Sequence, residues 1–322
     1  MLYFRLLTLS FVFLLAIPST AREKSFPADS SATPLLLPNH KLDFNSGRLA
    51  HSSKIDKQRL YLVSGFTGAW MIGTYVVHIK PWWSGEKSGF RVKYDWWNNT
   101  WLEVDKFGHF YSNILTTEAV AASFEYAGVS KRKALWIGAI NSTVLFTSFE
   151  LTDAGFEDWG FSVPDYVANV LGAAYPILQD IVPVFEHFNF KLGYWPSRYY
   201  NATDNSQPGF INYSPYTYPS GDYDGMTYWL SADVNWMLPQ AAKPYWPDWL
   251  NLAVGYGARD LPQANDAIKI RELYIGFDYN LEAINTDHAL LNTLLSAANT
   301  LHFPAPAIRI DNTGNKLFLF QW

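Results

Sequence analysis

Apolar positions in this chain follow two different periods, and the change between them falls near residue 186. Before it, apolar residues recur at helical spacing. Leu60 to Ile79 is a run of 20 residues without Asp, Glu, Lys or Arg. By length it matches the roughly 20 apolar residues that span a bilayer. Gly65, Gly68 and Gly73 inside it suit close helix packing, in lipid or in a dry protein core. Residues 105–127, 131–152 and 163–180 predict three more helices. The second holds an uncharged stretch, Ala134 to Phe149, short for a span and suited to a buried helix. The third opens on Ser162-Val163-Pro164-Asp165, a capping-box pattern with Pro in the first turn. Residues 57–185 thus predict a bundle of four apolar helices, with one strand-like excursion near residues 90–97.

After residue 186 the period becomes two, the signature of strands. Phe188 to Trp195 is followed by a Tyr/Pro/Ser/Asn-rich loop that includes a further run, Phe210 to Tyr218. Met226 to Trp236, Leu252 to Tyr256 and Leu273 to Leu281 all alternate apolar with polar or small residues. A helical pattern returns over residues 286–301, and Ala307 to Asp311 and Lys316 to Trp322 predict a closing hairpin, with Gly314 in a four-residue loop. Together with residues 90–97 this makes about eight strand-like runs, and eight is the smallest strand number of outer-membrane barrels. The last strand carries Phe318, Phe320 and Trp322 at alternate positions and resembles the terminal aromatic strand by which such barrels are assembled. Several runs are only five to eight residues, too short to cross a membrane. The alternative is an antiparallel sheet whose apolar face is covered by helices. The expected fold is therefore α+β: an apolar four-helix bundle (57–185) packed with an antiparallel β-sheet or a partial, small β-barrel (186–322).

The N-terminus changes where such a protein would reside. Arg5, the apolar run Leu6 to Ile17 and the small residues Ser19-Thr20-Ala21 form a secretory signal over residues 1–21. A polar, Ser/Pro-rich leader covers residues 22–56. Composition agrees with an envelope location: of the 322 residues 17% are aromatic and only 16% charged, and large aromatics favour membrane–water boundaries. The net charge of −5, with both signs interspersed, gives no basis for binding nucleic acid. No residue is cysteine, which excludes a disulfide scaffold, a thiol nucleophile and lipid attachment to an N-terminal Cys.

Candidate chemistry lies in the helices. Asp105 and His109 are four residues apart and share a face with Ser112, Glu150 and Asp153 are three apart, and Asp165 and Asn169 are again four apart. Each pair is surrounded by apolar residues, so inward-facing members must find one another, because an unpaired buried carboxylate costs several kcal/mol or takes up a proton. Such a set could be a structural polar network, a small-molecule or lipid-headgroup site, or a hydrolytic or divalent-metal site. Plainer roles exist for each piece: Asp105 at a helix start beside Lys106, Asp165 in its capping box, Asn169 bridging helices, His109 in the core. No nucleophile elbow, phosphate-cradling Gly loop, His-Glu-x-x-His helix or dinucleotide fingerprint is present, and no cofactor is expected.

Asp95-Trp96-Trp97 and Trp101-Leu102-Glu103-Val104-Asp105-Lys106-Phe107-Gly108-His109 resemble the opening of the YfiM-like family of predicted periplasmic lipoproteins, a domain of unknown function. The family's later pattern is matched by Glu150, Asp153, Gly155, Phe156, Trp159-Gly160-Phe161-Ser162, Asp165, Ala168-Asn169 and Gly172. Asp222 to Ser231 resembles the long members with an added C-terminal β region. The helices are more weakly similar to VanZ-like membrane proteins. The resemblance implies an exported, cell-envelope protein of the Gram-negative outer membrane or periplasm, with membrane lipid or envelope components as partners. It carries no established activity. The expected role is a non-enzymatic structural or lipid-interacting component; the alternative is a hydrolase of lipid or cell-wall precursors using the His/carboxylate cluster.

Overall fold

The computed structural model describes residues 54–83, 85–97, 99–200, 219–262, 267–284 and 286–322. The signal-like residues 1–21, most of the leader and the run Phe210 to Tyr218 lie outside the described residues.

Four long helices form where helical periodicity runs: α1 (Lys57–Trp82), α2 (Val104–Tyr126), α3 (Lys131–Asp153) and α4 (Val163–Ile181). At the start of α1, Asp56 Oδ1 accepts from the amides of Gln58 and Arg59, satisfying two of the helix's free N–H groups. At the start of α4, Ser162 Oγ accepts from the Asp165 amide at 3.2 Å, the expected cap. Helices α2, α3 and α4 pack closely on one another, and α1 flanks them. Small residues set that closeness. A Cβ on Gly138 of α3 would lie 2.2 Å from the Thr117 carbonyl oxygen of α2. One on Gly172 of α4 would lie 2.1 Å from the Phe110 carbonyl oxygen. Around these crossings Val63, Val120, Phe124, Leu135, Ala139 and Ile177 form a dry core.

The excursion at residues 90–97 is shorter than expected. Only β1 (Val92–Lys93) is strand, paired in parallel with β2 (Phe161–Ser162) just before α4. This two-residue ladder ties the Asp95 loop to the start of α4.

The C-terminal half is a six-stranded antiparallel meander: β3 (Phe188–Tyr194), β4 (Met226–Ala232), β5 (Leu250–Arg259), β6 (Ile270–Tyr279), β7 (Ala305–Asp311) and β8 (Gly314–Gln321), each paired with its chain neighbour. A short α5 (Val234–Met237) follows β4, and α6 (Ala289–Ala298) precedes β7. The β7–β8 turn is tighter than the four-residue loop expected, because Asp311 pairs with Gly314 across Asn312-Thr313. Gly314 has φ +118, which favours glycine there. β3 and β8 are not paired, so no closed barrel exists among the described residues. The free edge of β3 is instead met by Leu301, with Leu192 bonded to Thr300 and His302. At the same place the Trp195 and Trp322 rings lie 5.1 Å apart.

The two sheet faces have inverted polarity. One face carries Asn189, Lys191, Ser231, Asn251, Glu272, Asp278 and Arg309, all buried with Trp229 and Tyr274. The polar side of α6 (Asn292, Thr293, Ser296) and His302 are buried as well, and His302 stacks on Trp229 at 4.0 Å. The charges compensate: Lys191 Nζ lies 2.6 Å from Asp278 Oδ2, and Arg309 lies 2.8 Å from Glu272. On the other face the register lines up Phe190, Leu230, Val254, Ile275, Ile308 and Leu317 in one row across all six strands. Helix α2 covers only the start of it, where Leu102, Val104, Phe107 and Tyr111 pack with Met226, Tyr228, Phe190 and Tyr256. Val254, Ile275, Ile308 and Leu317 remain 53, 54, 46 and 70% exposed. Among the described residues the apolar face is thus covered by α2 over β3, β4 and Tyr256 of β5, and is open over the rest of β5 to β8.

Candidate functional site

The polar pairs of α2, α3 and α4 converge at the end of the helices nearest β1 and β2. Asp105 and His109 come from the first turns of α2, Glu150 from the last turn of α3, and Asp165 and Asn169 from the first turns of α4. Burial is nearly complete for Glu150, Asn169, Asp105 and Asp165, whereas His109 keeps 22% of its side-chain exposure.

Lys106 organises one half of the cluster. Its ammonium lies 2.9 Å from a carboxylate oxygen of each of Asp95, Asp105 and Asp165. Asn99 Nδ2 donates to Asp105, and Ser162 Oγ donates to Asp95 at 2.8 Å. Asp165 therefore supplies its amide to the cap while its carboxylate goes to Lys106. Burial opposes the Lys106 charge, but the carboxylates of Asp105 and Asp165 outweigh it and raise its pKa. Burial and the neighbouring Asp165 push Asp105 up. For Asp95 burial is more than offset by Lys106, and its pKa falls.

His109 organises the other half. Its Nδ1 is 2.9 Å from Asn169 Oδ1, which also accepts from Asn113 Nδ2 at 2.7 Å. Asn113 in turn accepts from Ser142 at 2.6 Å, extending the network into α3. Glu150 Oε2 accepts from the Ser162 amide, and Glu150 Oε1 stands 3.7 Å from His109 Nδ1. Burial pushes Glu150 up to about 8. Burial disfavours the charged imidazole, but Asp165 and Glu150 prevail and raise His109.

Five of the six sequence candidates therefore meet. Asp153 turns away to accept from Trp83 Nε1, and burial pushes it up to about 6. Ser112 is not part of the cluster; its neighbour Asn113 is, fully buried. Sequence pairing at i, i+4 also missed Asp95, Asn99 and Ser142, and treated Lys106 as a partner of Asp105 alone. A polar residue in an apolar helix stretch is the signal that marks Asn113 and Ser142.

The loop into α2 is fastened to the sheet. Leu102 and Glu103 have φ of 47 and 64, a left-handed conformation costly for such residues. Asn99 Oδ1 accepts from the Trp101 and Glu103 amides, and Glu103 forms a two-pronged pair with Arg271 of β6. Arg271 also lies 4.8 Å over the Trp97 ring.

No curated protein and no solved structure matches the chain. Residues 95–180, the segment that supplies the whole cluster, match the family described as predicted periplasmic lipoprotein (DUF2279).

Proposed function

We propose that the protein is a non-enzymatic component of the bacterial envelope that rests against the periplasmic face of the outer membrane and faces lipid without crossing it. The inverted polarity of the sheet carries this reading. A face with exposed Val254, Ile275, Ile308 and Leu317 backed by a buried, charge-compensated face is stable when the outer solvent is apolar. Aromatics frame the exposed band: Trp249 and Tyr279 stack at one rim, and Trp97 sits over Arg271 at the other. Helix α6 repeats the pattern, with Leu290, Leu291 and Leu294 outward and its polar residues buried. β5 and β6 have ten residues, but β3, β4 and β7 have seven each and β8 eight, short of the roughly 9–11 that cross a bilayer, so the sheet as a whole favours contact with one leaflet. The family description speaks of a lipoprotein, but no residue of this chain is Cys, so lipid contact here is assigned to side chains. On this reading the polar cluster pins α2, α3 and α4 in one arrangement.

Flotation with phosphatidylethanolamine/phosphatidylglycerol vesicles tests the assignment. The purified protein should float with vesicles, and Ile275→Lys with Leu317→Lys should return it to the soluble fraction with unchanged far-UV circular dichroism. A wild-type protein that stays monodisperse without detergent and does not float overturns the reading.

A further inference from the structure

We propose that His109, Glu150 and Asp165 bind a divalent transition-metal ion of the Zn2+ or Mn2+ type, one donor coming from each of α2, α3 and α4. The inference is independent of how the sheet meets lipid.

Donor atoms of the three residues all lie within 4.8 Å of one another. Two ligands bound to one such ion at about 2.0–2.2 Å stand roughly 3–4 Å apart, so side-chain adjustment of less than about 1 Å closes the site. The pair already near that spacing is His109 Nδ1 and Glu150 Oε1, at 3.7 Å. The neighbouring half of the basin illustrates what a cation does here: Asp95, Asp105 and Asp165 form a second such triad, and the Lys106 ammonium lies 2.9 Å from each. The His109 half shares Asp165, and among the described residues no Lys or Arg forms an ion pair with Glu150.

Glu150 supplies the independent observation. Its side chain is 1% exposed, and its Oε1 has no hydrogen-bond partner among the described residues. A buried carboxylate oxygen without a donor costs about 1–3 kcal/mol or more, and nearly all such atoms in native proteins have a partner. The Ser162 amide holds Oε2, which fixes the carboxylate with Oε1 aimed at the imidazole. One imidazole with two carboxylates is a mixed nitrogen and oxygen set; it suits Zn2+ or Mn2+ better than Mg2+, which prefers oxygen and keeps its water. Coordination through Nδ1 replaces the contact that Asn169 Oδ1 makes with that nitrogen at 2.9 Å, and Asn169 Oδ1 keeps its donor Asn113 Nδ2, with Ser142 behind it. The exposed edge of His109 gives the ion a way in.

The full chain, stripped with chelator and desalted in mild detergent, is titrated calorimetrically with Zn2+, Mn2+ and Mg2+ separately. The expected result is one equivalent of Zn2+ or Mn2+ per chain, much weaker Mg2+ binding, and a higher melting midpoint with the ion. Glu150→Gln and His109→Ala should each weaken binding by about tenfold or more, while Asp153→Asn keeps wild-type affinity. Absence of saturable Zn2+ and Mn2+ binding overturns the proposal, and so does equal affinity in folded Glu150→Gln. Should both variants misfold, acylation of wild-type histidines by diethylpyrocarbonate, mapped by mass spectrometry, decides. Zn2+ should protect His109 selectively, and unchanged labelling of His109 overturns the site.

Discussion

Lys191→Met probes whether the inner sheet face is as dry as its geometry states. The Lys191 side chain is 1% exposed, and its ammonium contacts Asp278 Oδ2 at 2.6 Å, the Tyr279 carbonyl at 2.8 Å and Asn299 Oδ1 at 2.9 Å. Methionine keeps most of the stem and removes the charge. Removing one member of a buried ion pair costs about 3–5 kcal/mol, because the partner charge is left in a poor solvent. Asp278 retains His302 Nδ1 at 2.9 Å, which places the loss at the lower end, about 3 kcal/mol. At roughly 2–4 °C per kcal/mol for a chain of this size, the melting midpoint should fall by about 6–12 °C. Thermal and urea unfolding in mild detergent, followed by far-UV circular dichroism, measures it. Adding Asp278→Asn should restore part of the loss, since the two changes share one interaction. A loss below about 1 kcal/mol, or strictly additive effects, refutes the reasoning: the ammonium would then be solvated.

The remaining expectations concern pH, packing and capping. The Asp278 carboxyl is buried, which alone would raise its pKa, but His302 and Lys191 more than offset this and hold it below the ordinary value of 3.8. A lowered folded pKa means a contribution present above the unfolded pKa and lost as pH falls through the folded one; unfolding titrations should show wild-type stability dropping below about pH 4, and less so in Lys191→Met. Gly172→Ala puts a Cβ against the Phe110 carbonyl and should cost at least about 1–3 kcal/mol in urea melts, whereas Gly73→Ala, with nothing within 4 Å, should be neutral or stabilising by up to about 1 kcal/mol. Ser162→Ala removes the α4 cap and the hydrogen bond to Asp95, and a loss of about 1–2 kcal/mol is expected by the same measurement.

Helix positions were legible because periodicity is local: the expected 105–127, 131–152 and 163–180 lie within a residue or so of α2, α3 and α4. The capping box at Ser162 was legible for the same reason. The alternation of β5 and β6 likewise marked strands, since side chains two apart must share a face. Much of the cluster was visible as i, i+4 pairs, because spacing on one helix fixes a common side. Its assembly was not, since Asp95, Lys106 and Asp165 meet through a two-residue ladder and a three-helix crossing.

What the amino-acid sequence determined by itself was therefore the type and ends of the long helices, the alternation of the main strands and part of the set of polar residues that apolar helices would have to reconcile. Which face of the sheet turned outward was decided by tertiary structure alone. Alternation reads the same whether Val254 and Ile275 or Asn251 and Asp278 point to solvent. Only the burial of Lys191 against Asp278, with His302 hydrogen-bonded to the same carboxylate, makes a polar interior affordable and leaves the apolar row outside. The same holds for Lys106: Asp165 reaches it where Gly172 lets α4 touch α2, and Asp95 reaches it through the β1–β2 ladder.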